Sequence, residues 1–124
     1  MILIDTSALI DSLCGGRRSL PRLREFVIEG ERIILASLVL FEWRRGPRTD
    51  VELTAQEELL PSTSAIPFAA SEAILAARLY AAVRAPRGRE IDLAIAAIAL
   101  ERDAALWTLN KADFRDIPGL RLAG

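Results

Sequence analysis

A chain of 124 residues and 13.6 kDa has room for one good hydrophobic core and not two, and its 52% hydrophobic and 27% charged residues are those of an ordered globular protein. Sixteen basic residues against seventeen acidic ones leave a net charge of -1, so no global basic field advertises nucleic acid and no acidic excess marks a solvating tail. Histidine is absent and Cys14 is the only cysteine, which excludes His general bases, Ser-His-Asp and Cys-His catalysis, His-ligated zinc, an internal disulfide and a CxxC metal site.

Met1 to Ile4 is a short Ile-rich apolar run of the kind buried in parallel sheets, and it ends at Asp5-Thr6-Ser7, any of which is able to cap a short helix over Ala8 to Leu13. Gly15-Gly16 stops that helix. Pro21 opens the next, in which Leu23, Phe26 and Val27 are expected to share a face, and Gly30 ends it. Arg32 to Ala36 reads as a second strand. Ser37 is the expected N-cap of a helix over Leu38 to Arg45, closed by Gly46-Pro47. Asp50 to Leu60 reads as a polar-faced helix, Ala65 to Phe68 as a brief strand, and Ser71 to Val83 as an Ala-rich helix with Leu75, Leu79 and Ala82 on one stripe. Glu90 to Arg102 is a helix with no polar residue from Leu93 to Leu100, so it belongs in the interior. Ala105 to Leu109 and Leu120 to Leu122 complete the strands. Strands alternating with helices predict an α/β protein with a parallel sheet, in one domain over 1–124. The run Ile33 to Trp43 falls far short of the roughly 20 apolar residues of a membrane span, and MILID has no basic start, so a cytoplasmic protein is expected.

Four acids stand in apolar settings. Asp5 follows a buried strand, the position at which open parallel sheets bind ligands, although capping explains it equally well. Glu42 is the lone charge of Ile33 to Trp43; Asp92 lies in the first turn of the apolar helix, where it needs a partner such as Arg89 or a metal; Asp113 follows the Ala105 to Leu109 strand. Taken singly, each has a bland reading as a cap, a solvent-facing acid, a helix-dipole acid or a turn former. Taken together they describe a pocket of carboxylates that requires a cation. An all-oxygen ligand set selects Mg²⁺ or Mn²⁺, ions that serve phosphate chemistry.

These same stretches resemble the PIN domain, and in particular the short VapC-type toxins of bacterial toxin–antitoxin pairs. MILIDTSALID resembles that family's opening block, ASLVLFEWRRG its second, REIDLAIAAIAL its third and LWTLNKADFRDIPGL its last, in family order and over nearly the whole chain. The resemblance implies a three-layer α/β/α fold around a small parallel sheet, with Asp5, Glu42 and Asp92 as metal-binding carboxylates. The family often carries an acid where this chain has Asn110, so Asp113 is the candidate fourth carboxylate, with Asn110 a neutral ligand or an outer hydrogen-bonding group. Thr6 and Thr108 are the hydroxyls expected to orient the metal-binding oxygens. It further implies a Mg²⁺-dependent RNA endonuclease, with Mn²⁺ as a substitute ion, an antitoxin protein as partner, and a homodimer. Trp43 and the Ser71 to Val83 helix offer apolar surface for that dimer. The alternatives are a housekeeping PIN-type RNA-processing nuclease and an inactive PIN-fold binding module.

Fifteen of the sixteen basic residues are Arg, a residue suited to bidentate phosphate contacts, and many fall beside the acids in sequence. Arg44, Arg45 and Arg87 are the candidate RNA contacts; Arg17, Arg44 and Arg45 are alternatively placed to hold an antitoxin's acidic tail or to pair within the protein.

Overall fold

The computed structural model describes residues 1–124. Its centre is β1 (Ile2–Ile4), whose three side chains are all buried, as a strand covered on both faces demands. β1 pairs in parallel with β2 (Ile33–Ile34) on one side and β3 (Ala105–Trp107) on the other, in the register Ile2 with Ile33 and with Ala105. Single parallel bridges, Ala36 to Ile66 and Leu106 to Leu122, extend the sheet at both edges. The strands expected at 65–68 and 120–122 are reduced to these contacts; Pro67 and Pro118 stand beside them, and proline cannot donate to a ladder.

The chain leaves β1 for β2 on one side and later returns to β3 on the other. β1 therefore marks the point where strand order reverses, and it is outside the carboxyl ends of the strands at such a point that open parallel sheets bind ligands. The helices are α1 (Thr6–Leu13), α2 (Leu20–Ile28), α3 (Ser37–Arg45), α4 (Asp50–Leu59), α5 (Ala70–Ala82) and α6 (Glu90–Glu101). α1 packs against α2, α3 and α4, while α6 packs against α5, α3 and β3. Leu93 to Ala99 of α6 are all buried, and four of those seven are alanines that let neighbouring elements approach closely. α6 leads back into parallel β3, so its amino end lies at the carboxyl edge of the sheet. No helix is long and apolar enough to cross a membrane.

Some expectations are corrected. Ser37 is not the N-cap of α3: Ala36 holds that position, and the Ser37 N–H donates to the Ile66 carbonyl at 2.8 Å, which ties the helix start to the sheet edge. Val27 is 53% exposed and does not share the buried face of Leu23 and Phe26, because adjacent residues stand about 100° apart around a helix and Phe26 takes the core side. Trp43 is wholly buried, with the Arg48 guanidinium 4.4 Å from its ring, so it supplies no surface for a dimer. In α5, Ala82 is exposed and only Leu79 of the expected stripe is fully buried.

Candidate active site

Asp5 stands at the N-cap position of α1 in extended backbone, yet its carboxylate makes no capping bond. Instead Asp5 Oδ2 accepts from Thr108 Oγ1 at 2.7 Å and from Ser7 Oγ at 3.1 Å. Asp5 and Thr108 follow adjacent parallel strands, and the Asp5 N–H donates to the Trp107 carbonyl at 2.9 Å, so the sheet itself sets this pair in place. Asp5 is 5% exposed and Thr108 1%. Buried polar groups of this kind are kept only where their hydrogen bonds are made. The Thr108 hydroxyl also accepts the Asn110 N–H at 3.0 Å, and Ser7 Oγ accepts the Leu109 N–H at 3.0 Å, which ties the loop after β3 to the start of α1.

Glu42 sits on the second turn of α3, turned toward the start of α1. Thr6 Oγ1 donates to Glu42 Oε1 at 2.7 Å, and Arg45 Nη2 lies 3.5 Å from Oε2. Phe41, at 58% exposure, occupies the solvent-facing position instead. Asp92 enters from the first turn of α6, partly buried. Its carboxyl is pushed up to about 6, first by burial and then by the negative charges of Asp5, Asp113 and Glu42, with the Arg89 guanidinium working against them. The four acids expected to act together thus share one electrostatic field. No three of them are gathered closely enough to clasp one ion as they stand. Thr6 and Arg45 hold the oxygens of Glu42, and Ser7 and Thr108 hold one oxygen of Asp5.

Asp113 lies on an exposed single turn, Lys111–Asp113, that is tied down from behind. Arg89 is the tie. It forks onto Asp116 at 2.6 and 2.9 Å and donates to the backbone carbonyls of Asp113 at 2.9 Å and Arg84 at 3.1 Å. A turn at Pro86–Arg89, with Gly88 at φ 82, aims the guanidinium at this target. The pair with Asp116 holds that carboxyl below its usual range.

The PIN domain family model matches residues 2–120. The chain belongs to the PIN domain family. It is 34% identical over 123 residues to ribonuclease VapC19 of Mycobacterium tuberculosis, strains CDC 1551 and H37Rv, covering 98% of each chain. Among solved structures it is similar to VapBC2 of Rickettsia felis bound to a promoter DNA fragment, with TM-score 0.75 and 22% identity over 99% of this chain and 98% of that one. It is also similar to FitAcB of Neisseria gonorrhoeae, with TM-score 0.74 and 18% identity over 99% and 97%. A third similar structure is DNA-bound VapBC of Salmonella typhimurium, with TM-score 0.75 and 22% identity over 98% and 96%.

Within this PIN fold Thr6 donates to Glu42 and Thr108 donates to Asp5. Asn110 contributes its backbone N–H to Thr108 and no side-chain bond. Of the expected RNA contacts, Arg44 is paired with Glu57 at 2.8 Å and Arg45 with Glu42, while Arg87 is exposed and free of any ion pair. Ser7 as a partner of Asp5 and Asp116 as a partner of Arg89 escaped the reading of the sequence, whereas Arg89 was expected beside Asp92. Ser7 was legible as part of Asp5-Thr6-Ser7, since a hydroxyl two residues past the acid reaches back to it. The Arg89–Asp116 fork spans 27 residues and left no local signal.

Proposed function

We propose that this protein is a Mg²⁺-dependent endonuclease for single-stranded RNA and the toxin of a toxin–antitoxin pair. The observation that supports the reading is that Asp92 shares one electrostatic field with Asp5, Asp113 and Glu42 at the carboxyl edge of the sheet, where burial first and those three charges second raise its carboxyl to about 6. The 34% identity to a ribonuclease over 98% of the chain supports the nuclease assignment, and the similarity to VapBC complexes supports an antitoxin as partner. A homodimer fits the apolar side chains left exposed on α5, Ile74 and Tyr80.

The donor set is entirely oxygen, without His and with Cys14 elsewhere on α1's far end, which suits a hard divalent ion such as Mg²⁺ or Mn²⁺. When bound by Asp5, Glu42 and Asp92, with Asp113 as fourth carboxylate, such an ion would acidify a water and offset charge on the phosphate under attack. Thr108 and Ser7 aim the oxygens of Asp5, and Thr6 aims those of Glu42, so two ligands from different elements are pre-oriented. Arg45 holds Glu42 against the repulsion of its neighbours. Burial of Asp5 and Thr108 at the floor keeps bulk water from that side of the pocket. With no histidine in the chain, a carboxylate or bulk solvent takes the proton of the attacking water, and the products carry 5′-phosphate and 3′-hydroxyl ends.

The test uses purified, antitoxin-free protein with single-stranded and duplex RNA in Mg²⁺, Mn²⁺ or chelator. Metal-dependent cutting of the single strand with 5′-phosphate ends is expected; a 2′,3′-cyclic phosphate product refutes attack by water. Expression in a bacterial host, with and without the neighbouring reading frame, tests the toxin role: growth arrest relieved by the neighbour is expected, and indifference refutes it.

A further inference from the structure

A broad concavity borders the acid pocket, and of the four acids only Asp113 lines it. It is a groove of about 640 Å³ whose lining includes Arg22, Thr108, Leu109, Lys111, Asp113 and Arg115. Two of these residues are shared with the candidate active site: Thr108, whose hydroxyl holds Asp5, and Asp113. The groove is thus continuous with the acid pocket.

Its cations are not alike. Arg22 is committed, with Nη1 2.9 Å from Glu25, 3.4 Å from Glu29, and its guanidinium 4.0 Å from the Phe26 ring. Lys111 and Arg115 are in no ion pair, whereas Arg18, Arg44, Arg45, Arg89 and Arg121 each face a carboxylate. Both are carried on a rigid base. The Arg115 N–H donates to the Lys111 carbonyl at 3.1 Å, the Phe114 N–H to the same carbonyl at 3.0 Å, and Phe114 and Ile117 anchor the turn in the core at 2% and 3% exposure. Lys111 and Arg115 both line the same groove. Between them and the site, Leu109 leaves an apolar surface at 49% exposure, suited to a sugar or base face.

We infer that this groove is the track along which the phosphodiester backbone of single-stranded RNA enters the acid pocket, with Lys111 and Arg115 each holding one phosphate. The inference rests on the nuclease reading and deepens it. A strand whose scissile phosphate lies among four carboxylates carries further phosphates that the same carboxylates repel. Unpaired cations on the adjoining wall offset that repulsion locally, on a chain whose net charge of -1 gives no general attraction.

The experiment measures binding of a fluorescent 12-nucleotide single-stranded RNA to the full antitoxin-free chain, in chelator, by anisotropy over a range of salt. Wild type is compared with Lys111→Ala/Arg115→Ala. The control is Arg32→Ala/Arg102→Ala, which removes equal charge from a small pocket at the opposite, amino-terminal edge of the strands. Each phosphate contact to a single strand contributes about 0.7 to the slope of log affinity against log salt, so the groove variant loses about 1.4 and binds at least about tenfold more weakly. The control keeps the wild-type slope. Lys111→Gln/Arg115→Gln, which retains the aliphatic stems, repeats the loss. An unchanged slope in the groove variants, an equal loss in the control, or no RNA binding by wild type overturns the inference, whatever happens to antitoxin binding. Cleavage by wild type in Mg²⁺ is read separately: groove-dependent binding without cleavage upholds the track and removes the nuclease.

Discussion

Replacing Asp92 by Asn separates a metal-site carboxylate from an ordinary helix-dipole acid. In the folded protein the Asp92 carboxyl is raised from 3.8 to about 6 by burial and by Asp5, Asp113 and Glu42. At about 1.4 kcal/mol per pH unit, that difference is about 3 kcal/mol of destabilisation when Asp92 is ionised, before screening. Asp92 stays partly open to water, which damps the charge–charge part, so about 1 kcal/mol is the expected gain from Asp92→Asn at pH 7.5 in chelator, or roughly 4 °C in Tm. The sign follows from the direction of the shift. Below about pH 3.8 Asp92 is neutral in both the folded and unfolded chain and costs nothing; the cost grows from there to about pH 6 and is complete above it. At pH 4.5 the advantage of the Asn variant therefore shrinks to about a third. Metal reverses the ranking: an ion at 100 times its Kd stabilises wild type by about 2.7 kcal/mol, and a variant binding about 100-fold more weakly gains only about 0.4. Urea or thermal melts of both proteins at the two pH values, in chelator and in excess Mg²⁺ or Mn²⁺, supply every number required. A variant less stable by about 0.3–1 kcal/mol at both pH values, with an undiminished response to metal, would show that Asp92 serves only the helix dipole and refute the reasoning.

Three further outcomes are expected. Glu42→Gln keeps the volume and the Thr6 hydrogen bond but loses the charge, so RNA cleavage in Mg²⁺ falls at least about 100-fold while the melt is nearly unchanged; near-wild-type cleavage returns Glu42 to a solvated helix face. Thr108→Val leaves the buried Asp5 oxygen with only its longer Ser7 bond and the Asn110 N–H without its partner, costing about 1–3 kcal/mol by denaturant melt and about tenfold or more in activity, and Thr108→Ser restores both. Arg89→Gln removes the one cation that offsets the charges around Asp92, so the acid limb of the pH profile of kcat/KM moves to higher pH, and Arg89→Lys moves it back in part; an unmoved limb shows that Arg89 acts only through the Asp116 fork.

Much of the candidate site was legible because it depends on position along the chain. A buried Ile-rich run followed at once by Asp5 places that acid at the carboxyl end of a strand in any parallel sheet. An apolar helix leading into a strand returns its amino end, and with it Asp92, to the same edge. Glu42 stood out as the lone charge of an apolar run, and four blocks in family order added the two threonines. The unread part is of another kind. Whether Asp5 caps α1 or faces the pocket turned on Thr108, 103 residues away, whose hydroxyl outcompetes the helix for the carboxylate once β1 and β3 are paired. Trp43 looks like surface for a partner until α3 packs and covers it, and Ser37 looks like a cap until the chain at Ile66 takes its N–H. The sequence by itself determined the alternation of strands and helices and the edge to which the acids come, because hydrophobic period and strand order are local and topological. Only the tertiary structure decided which cations remain unpaired and which carboxylates are held, since an ion pair or a buried hydrogen bond exists only when packing brings two distant side chains within reach.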